Sequence, residues 1–246
     1  MTRIALIADI HGNAVALRRA LAEIDRLGVE RIVCLGDIVA GGPQPREVVA
    51  ELRARGIPSV MGNADDEILN PTDPSQEEGD LVKILEICAW NAAQLDEDDL
   101  AYMAGFQPTL TLEEGGETIA LCAHGSPRSF DEIIHAASSP EELDAALAGV
   151  DAPVVAVAHT HYPFMRRHRS LLLANPGSVG RAYDPAPPAG DVRFAPYAEF
   201  AILERDGGRF GWHFQRVAFD LDELLSTARA SGMPHLEWWT GMWRRA

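Results

Sequence analysis

Carboxylates, imidazoles and one amide recur in this chain at five places, each just after an apolar run: Asp9-Ile-His11-Gly-Asn13, Gly36-Asp37, Gly62-Asn63, His124-Gly125 and His159-Thr-His161. Asp9 and His11 are two residues apart, a spacing that puts both side chains on one face of an extended segment, within reach of one ion. Carboxylate oxygens with imidazole nitrogens and an amide oxygen suit Mn²⁺, Fe or Zn²⁺, with Ni²⁺ also compatible, better than Ca²⁺, which takes oxygen alone. Ions of that kind activate water for attack on an ester. Each fragment taken singly has an ordinary explanation. Asp9, Asn13 or Asn63 can cap a following helix, Gly36-Asp37 can be a turn, and His124 can be a structural histidine. Their common position at strand ends, in one order, is what points to a joint site.

The elements that must carry them read as alternating strand and helix. Arg3–Ala8 is a short apolar run, the mark of a buried parallel strand, and Ala14–Leu27 places Ala14, Leu17, Leu21 and Ile24 on one helical face. Arg31–Leu35 leads as a strand to Gly36-Asp37; Pro45 opens a helix through Arg55, and Ile57–Met61 reads as a third strand ending at Gly62-Asn63. Strand, helix, strand with short connections predicts right-handed βαβ units and a parallel sheet, whose carboxyl edge is where such sheets bind ligands.

From Asp65 to about Gly105 the pattern is helical, with Leu85, Cys88 and Ala92 at helical spacing and Asp96–Asp99 starting a new helix. This is a helical cap or insertion. Strands return at Gln107–Leu112 and Glu117–Ala123, joined by a turn at Glu114-Gly115-Gly116, then a helix near Pro140–Ala148 and a strand at Pro153–Ala158. Further strands fall near Ser170–Ala174, Ala198–Glu204 and Arg209–Val217, with Asp184–Asp191 as a proline-rich surface loop and Asp220–Ser231 as a last helix. The tail bearing Trp238, Trp239 and Trp243 reads as packing on its own chain, with a homodimer contact as the alternative. The whole, residues 1–246, reads as a single domain.

Composition narrows the partners. A formal charge of −16 argues against a surface for duplex nucleic acid, which needs a basic face. Bound divalent ions would invert that field locally, so a charged small substrate remains compatible. Cys34, Cys88 and Cys122 are an odd set without CxxC spacing and read as buried free thiols. No apolar run approaches the roughly 18 residues of a membrane helix, and the short N-terminal run lacks a signal peptide's features. The expected setting is cytoplasmic.

The ordered set resembles the calcineurin-like metallophosphoesterase superfamily, whose pattern is DxH, GDxx, GNH(D/E), H and GHxH. Gly36-Asp-Ile-Val-Ala-Gly-Gly-Pro43, His124-Gly-Ser-Pro127 and Asn175-Pro-Gly-Ser-Val-Gly180 are similar to its small bacterial and archaeal phosphodiesterase-like branch, and the likeness runs to about Ser231. The resemblance implies a four-layer αββα sandwich of two mixed sheets flanked by helices. It also implies two divalent ions, one held by Asp9, His11, Asp37 and His161, the other by Asp37, Asn63, His124 and His159. A hydroxide bridging the two ions would attack phosphorus, with Asp37, Asn63 and His124 as catalytic residues. Asn13, Asn63 and Arg128 are the candidates for touching a small phosphoester substrate.

Three positions depart from the pattern: Ala64 replaces the histidine of GNH(D/E), Ala158 the glycine before His-x-His, and Ala40 the second aspartate of the protein-phosphatase form. The last argues against a phosphoprotein phosphatase. The leading expectation is a phosphodiesterase or phosphatase. A nucleotide or dinucleoside-polyphosphate hydrolase on the same site is the alternative, and a catalytically weak scaffold or sensor is a rival of a different class.

Overall fold

The computed structural model describes residues 1–183 and 193–243, so the proline-rich stretch Asp184–Asp191 lies outside the described residues. Chain order begins β1 (Thr2–Ile7), α1 (Ala14–Arg26), β2 (Arg31–Cys34), α2 (Pro45–Ala54) and α3 (Asn63–Leu69). A 3-10 turn at Pro74–Gln76, α4 (Asp80–Gln94) and α5 (Glu97–Ala104) complete the helical insertion. Then come β3 (Thr109–Glu114), β4 (Glu117–Ala123), α6 (Pro140–Ala146), β5 (Val154–Ala156), β6 (Phe164–His168) and β7 (Leu171–Asn175). Finally β8 (Tyr197–Asp206), β9 (Arg209–Ala218), α7 (Leu221–Ser231) and α8 (Leu236–Gly241) close the described chain.

The strands form two sheets, ordered β2-β1-β8-β9 and β3-β4-β5-β7-β6. Both are mixed rather than parallel throughout. β1 runs parallel to β2 but antiparallel to β8, and β5 is parallel to β4 and β7 while β3 and β6 are antiparallel edges. Ile4, Leu6, Val33 and Leu203 of one sheet share a buried cluster with Ile119, Ala120, Val154 and Leu172 of the other. The opposite face of the first sheet packs Ile7, Phe200 and Ile202 against Leu17 and Leu21 of α1 and Leu224 of α7. On the outer face of the second, Val155 and Leu173 meet Leu143 and Leu147 from α6 and the residue after it. Helix, sheet, sheet, helix is therefore the layer order. Ile87 and Cys88 of α4 and Met103 of α5 join the same cluster as α1 and α2.

Two local expectations differ. Ile57–Met61 is not a strand; it makes only the parallel bridges Cys34–Ser59 and Val60–Gln107. Pro58 has no N–H to give, and the Ile57 N–H is taken by the Leu52 carbonyl at 3.0 Å, so no ladder extends. The edge strand Phe164–His168 is a second difference, absent from the sequence reading. The hairpin turn is as expected: Gly115 and Gly116 hold φ of 60° and 82°, the conformation of a two-residue turn. In the tail, Trp239 and Trp243 are buried in the chain's own core, and the Trp239 indole donates to the Gly41 carbonyl at 2.7 Å.

Candidate metal centre

Past the ends of β1 and β2 the two chains keep running side by side. The Asp9 N–H bonds Gly36 O at 3.0 Å, His11 N–H bonds Asp37 O at 2.9 Å, and Gly12 N–H bonds Ile38 O at 2.9 Å. This irregular ladder delivers Asp9, His11 and Asp37 to one spot. Asp65, at the start of α3, fixes the second arm: its carboxylate accepts from the N–H groups of Asp37 (2.8 Å), Ile38 (2.8 Å) and Gly62 (3.1 Å). Gly62 allows this closeness, since a Cβ there would sit 2.2 Å from Asp37 Oδ1. The second sheet contributes His124 after β4 and His159 and His161 after β5.

The side chains converge as two groups, Asp9 with His11 and His161, and Asp37 with His124 and His159, the donor atoms of each lying within 4.8 Å of one another. Asp37 Oδ2 stands between them, 3.7 Å from His11 Nε2 and 3.4 Å from His124 Nε2. Asn63 Oδ1 lies 3.0 Å from His124 Nε2. All seven residues singled out in the sequence are thus gathered in one place. Among the described residues, seven that are not glycine adopt positive φ, and five of these are Asp9, His11, Asp37, His159 and His161. Such conformations cost of order 1–3 kcal/mol each and persist where surrounding structure imposes them, as at functional sites.

The cluster is built for cations. Asp9 is fully buried, yet neither carboxylate oxygen has a hydrogen-bond partner. Burial raises its pKa well above the carboxylate range, with the charge of Asp37 adding to the rise and that of His124 opposing it. His11 Nδ1 is 2.8 Å from Ala40 O, His161 Nδ1 is 3.0 Å from Arg181 O, and His124 Nδ1 is 2.7 Å from Leu35 O. A carbonyl only accepts, so each Nδ1 carries the proton, and the neutral rings of His11 and His161 turn a bare Nε2 inward. Burial holds His11 well below its ordinary value and His161 at about 3, in keeping with neutral imidazoles. For His124, burial pulls downward but the Asp37 charge outweighs it and raises the ring to about 10. Two orphaned carboxylate oxygens and inward lone pairs are what divalent ions would satisfy.

The other expected residues lie elsewhere. Asn13 is buried with both polar ends engaged, Oδ1 accepting from Ala16 N–H at 3.0 Å to cap α1 and Nδ2 donating to Gly180 O at 3.1 Å. Arg128 is exposed and paired with Glu132, its Nε donating at 2.8 Å. Neither reaches into the cluster with a free group. Arg181, whose carbonyl accepts from His161 Nδ1, is a neighbour of the cluster that the sequence reading did not single out. Its charge acts on His11 and His161, and its only signal is position, directly after Asn175–Gly180.

The comparisons agree with this geometry. A metallophosphoesterase of Sphaerobacter thermophilus is 28% identical in structure-based alignment, with 98% of each chain covered and a TM-score of 0.72. A hypothetical protein of Pyrococcus horikoshii superposes with a TM-score of 0.79 at 23% identity, covering 98% of this chain and 97% of that one, a likeness of fold. An uncharacterized protein of Methanocaldococcus jannaschii is 28% identical over 254 residues, 96% of this chain and 94% of its own. Residues 2–204 match the calcineurin-like phosphoesterase superfamily domain, and the chain belongs to that superfamily of phosphoester hydrolases.

Proposed function

We propose that this chain is a two-metal phosphoesterase that favours diesters and other esters with acidic leaving groups. The single observation that carries the reading is the buried Asp9 carboxylate with both oxygens unpartnered, beside the bare Nε2 atoms of His11 and His161. By position, Asp9, His11 and His161 would hold one ion, and His124, His159 and Asn63 the other, with Asp37 reaching both. Bound there, two divalent ions would supply an activated water and positive charge against the phosphoryl group. Mn²⁺, Fe, Zn²⁺ and Ni²⁺ all suit these donors.

The chain's own residues do the positioning. Backbone carbonyls hold the Nδ1 proton of His11, His124 and His161, so the lone pairs of His11 and His161 need no reorganisation, while His124 would give up its Nε2 proton to an ion. Asn63 is oriented by the start of α3, and its Nδ2 is the amide donor for a phosphoryl oxygen. At residue 64 the methyl of alanine stands where a proton donor to the leaving group would lie, so esters whose leaving groups depart unprotonated should react best.

The test is turnover of bis-p-nitrophenyl phosphate by chelator-stripped protein, alone and with each divalent metal, beside an Asp37→Asn variant. Metal-dependent turnover lost in the variant, with two ions bound per chain, is the expected result. Metal-loaded protein inert on this and on p-nitrophenyl phosphate would move the reading to a binding or scaffold role.

A further inference from the structure

A cavity of about 420 Å³ lies outside the ligand cluster but shares a wall with it. Ile84 and Ile87 of α4, Trp238 of α8, and Arg181, Tyr183 and Phe194 line it. The shared wall is made by residues that hold the histidines. The Arg181 carbonyl accepts from His161 Nδ1, and the Tyr183 ring stacks on the His161 ring at 5.2 Å. Gly41, also on this wall, follows Ala40, whose carbonyl holds His11.

Arg181 stands at the junction. Its guanidinium donates to the Gly41 carbonyl and lies 5.5 Å from the Phe194 ring centre, while its buried Nε has no hydrogen-bond partner. Gly41 makes room for it, because a Cβ there would sit 1.9 Å from Arg181 Nη2, and at φ +97° the position resists a side chain in any case. Arg181 thus lines the cavity while its carbonyl holds a histidine of the cluster at 3.0 Å. A guanidinium whose buried Nε lacks a hydrogen-bond partner, with an aromatic face next to it, is the chemistry that recognises an anion carrying a flat π-system. The volume falls within the range of small-molecule pockets.

We propose that this cavity is the subsite for a planar aromatic group, a nucleobase or aryl ring, borne by the substrate ester, with Arg181 taking a phosphoryl oxygen on the cavity side. The subsite is an elaboration of the phosphoesterase reading and rests on it. Stacking against Trp238 would tolerate many rings, because every such ring offers a π-face, while Tyr183, already stacked on His161 and Tyr162, forms the fixed wall. Arg181 would separate phosphorylated ligands from bare ones. Alkyl phosphoesters fill none of this space.

The experiment titrates adenosine and AMP into chelator-treated, full-length protein by calorimetry, so that binding is read without turnover. Adenosine should bind, and Trp238→Ala should weaken both ligands about tenfold or more, with Trp238→Phe restoring most of the loss. Arg181→Met should weaken AMP more than adenosine. Absence of adenosine binding, or equal binding by wild type and Trp238→Ala, overturns the subsite. Adenosine binding lost in Trp238→Ala, in a protein with no metal-dependent turnover, supports the subsite and removes the phosphoesterase reading instead. Turnover equally efficient on p-nitrophenyl diesters whose second group is methyl or phenyl, so that the leaving group is fixed, would keep that reading and overturn the subsite.

Discussion

The Nε2 atoms of His11 and His161 face each other at 3.1 Å, and neither carries a proton, because the Nδ1 of each ring donates to a backbone carbonyl. Two lone pairs at that distance repel unless a cation lies between them. Two imidazoles bound to one ion at about 2.0–2.1 Å stand roughly 3 Å apart when at right angles. His161→Ala should therefore lower the bound metal by close to one ion per chain while the second group keeps its own. Metal analysis after gel filtration checks this. Two ions retained by the variant would refute the assignment of His161.

The same burial makes stability depend on pH when metal is removed. His11 and His161 are held below their ordinary value of 6.5, His161 at about 3, so the unfolded chain takes up protons that the folded chain refuses. Their contribution is present above 6.5 and is lost as pH falls through the acid range, for His161 toward about 3. His124, raised to about 10, acts in the opposite sense: its contribution is full below 6.5 and is lost as pH rises through about 10. Asp9 and Asp65, whose carboxyls burial raises, Asp65 to about 7, oppose His11 and His161 over the same interval, so the histidine contribution is read by difference. In chelated protein the urea midpoint should fall more from about pH 7 to about pH 5 in wild type than in His161→Ala. An equal change in wild type and variant would mean that the His161 ring protonates freely in the fold.

Asp65 is fully buried and accepts three backbone N–H bonds, two of them from the Asp37 segment. Asp65→Ala leaves these donors buried and unpaired, which costs about 3 kcal/mol or more. It also frees the loop that aims Asp37. The denaturation midpoint should drop by that amount and metal affinity should fall with it. A variant as stable as wild type would show that water replaces the carboxylate.

Asn91 extends the same logic into the insertion. On α4 it is fully buried, accepting from Gly41 N–H at 2.6 Å and donating to Gly42 O at 2.7 Å. The loop it clamps presents the Ala40 carbonyl to His11 Nδ1. Asn91→Leu keeps the volume and removes the clamp, and metal affinity should fall about 10- to 100-fold, as for other losses of support behind a ligand. Titration with a competing chelator measures it. An unchanged affinity would leave Asn91 with a packing role alone.

The convergence of the candidate ligands was legible in sequence because each sits beside a strand or bridge of clear apolar pattern, as with Asp9 and His11 after β1 and His124 after β4. What local pattern could not supply was anything decided by tertiary contact. Positive φ at five ligand positions comes from the loops that hold them, not from residue type. β6 hides because it is an edge strand whose buried Phe164 and His168 flank Met165, Arg166 and Arg167. Asn13 and Arg128 looked available in sequence and are engaged in the fold by α1, Gly180 and Glu132. Asn91 left a trace, an amide three residues past Cys88 on an apolar face. Arg181 left none beyond its neighbourhood, since its meaning depends on Gly41 and Phe194 far away in the chain.

Ala64 is the departure with the clearest chemical consequence. Its N–H bonds Asp37 Oδ1 at 2.9 Å, so the backbone is tied to the cluster while the side chain offers only a methyl. General acid assistance is worth about 10²–10⁴-fold and matters most when the leaving alkoxide is a strong base. Rates across a series of esters should therefore fall steeply as leaving-group pKa rises. In Ala64→His the slope should flatten, with alkyl esters gaining tenfold or more and p-nitrophenyl esters little, provided the main-chain bond to Asp37 is kept. The comparison needs only relative rates at saturating metal. A variant with the same slope as wild type would show that protonation of the leaving group comes from solvent or from another side chain, and that Ala64 leaves the reaction unchanged.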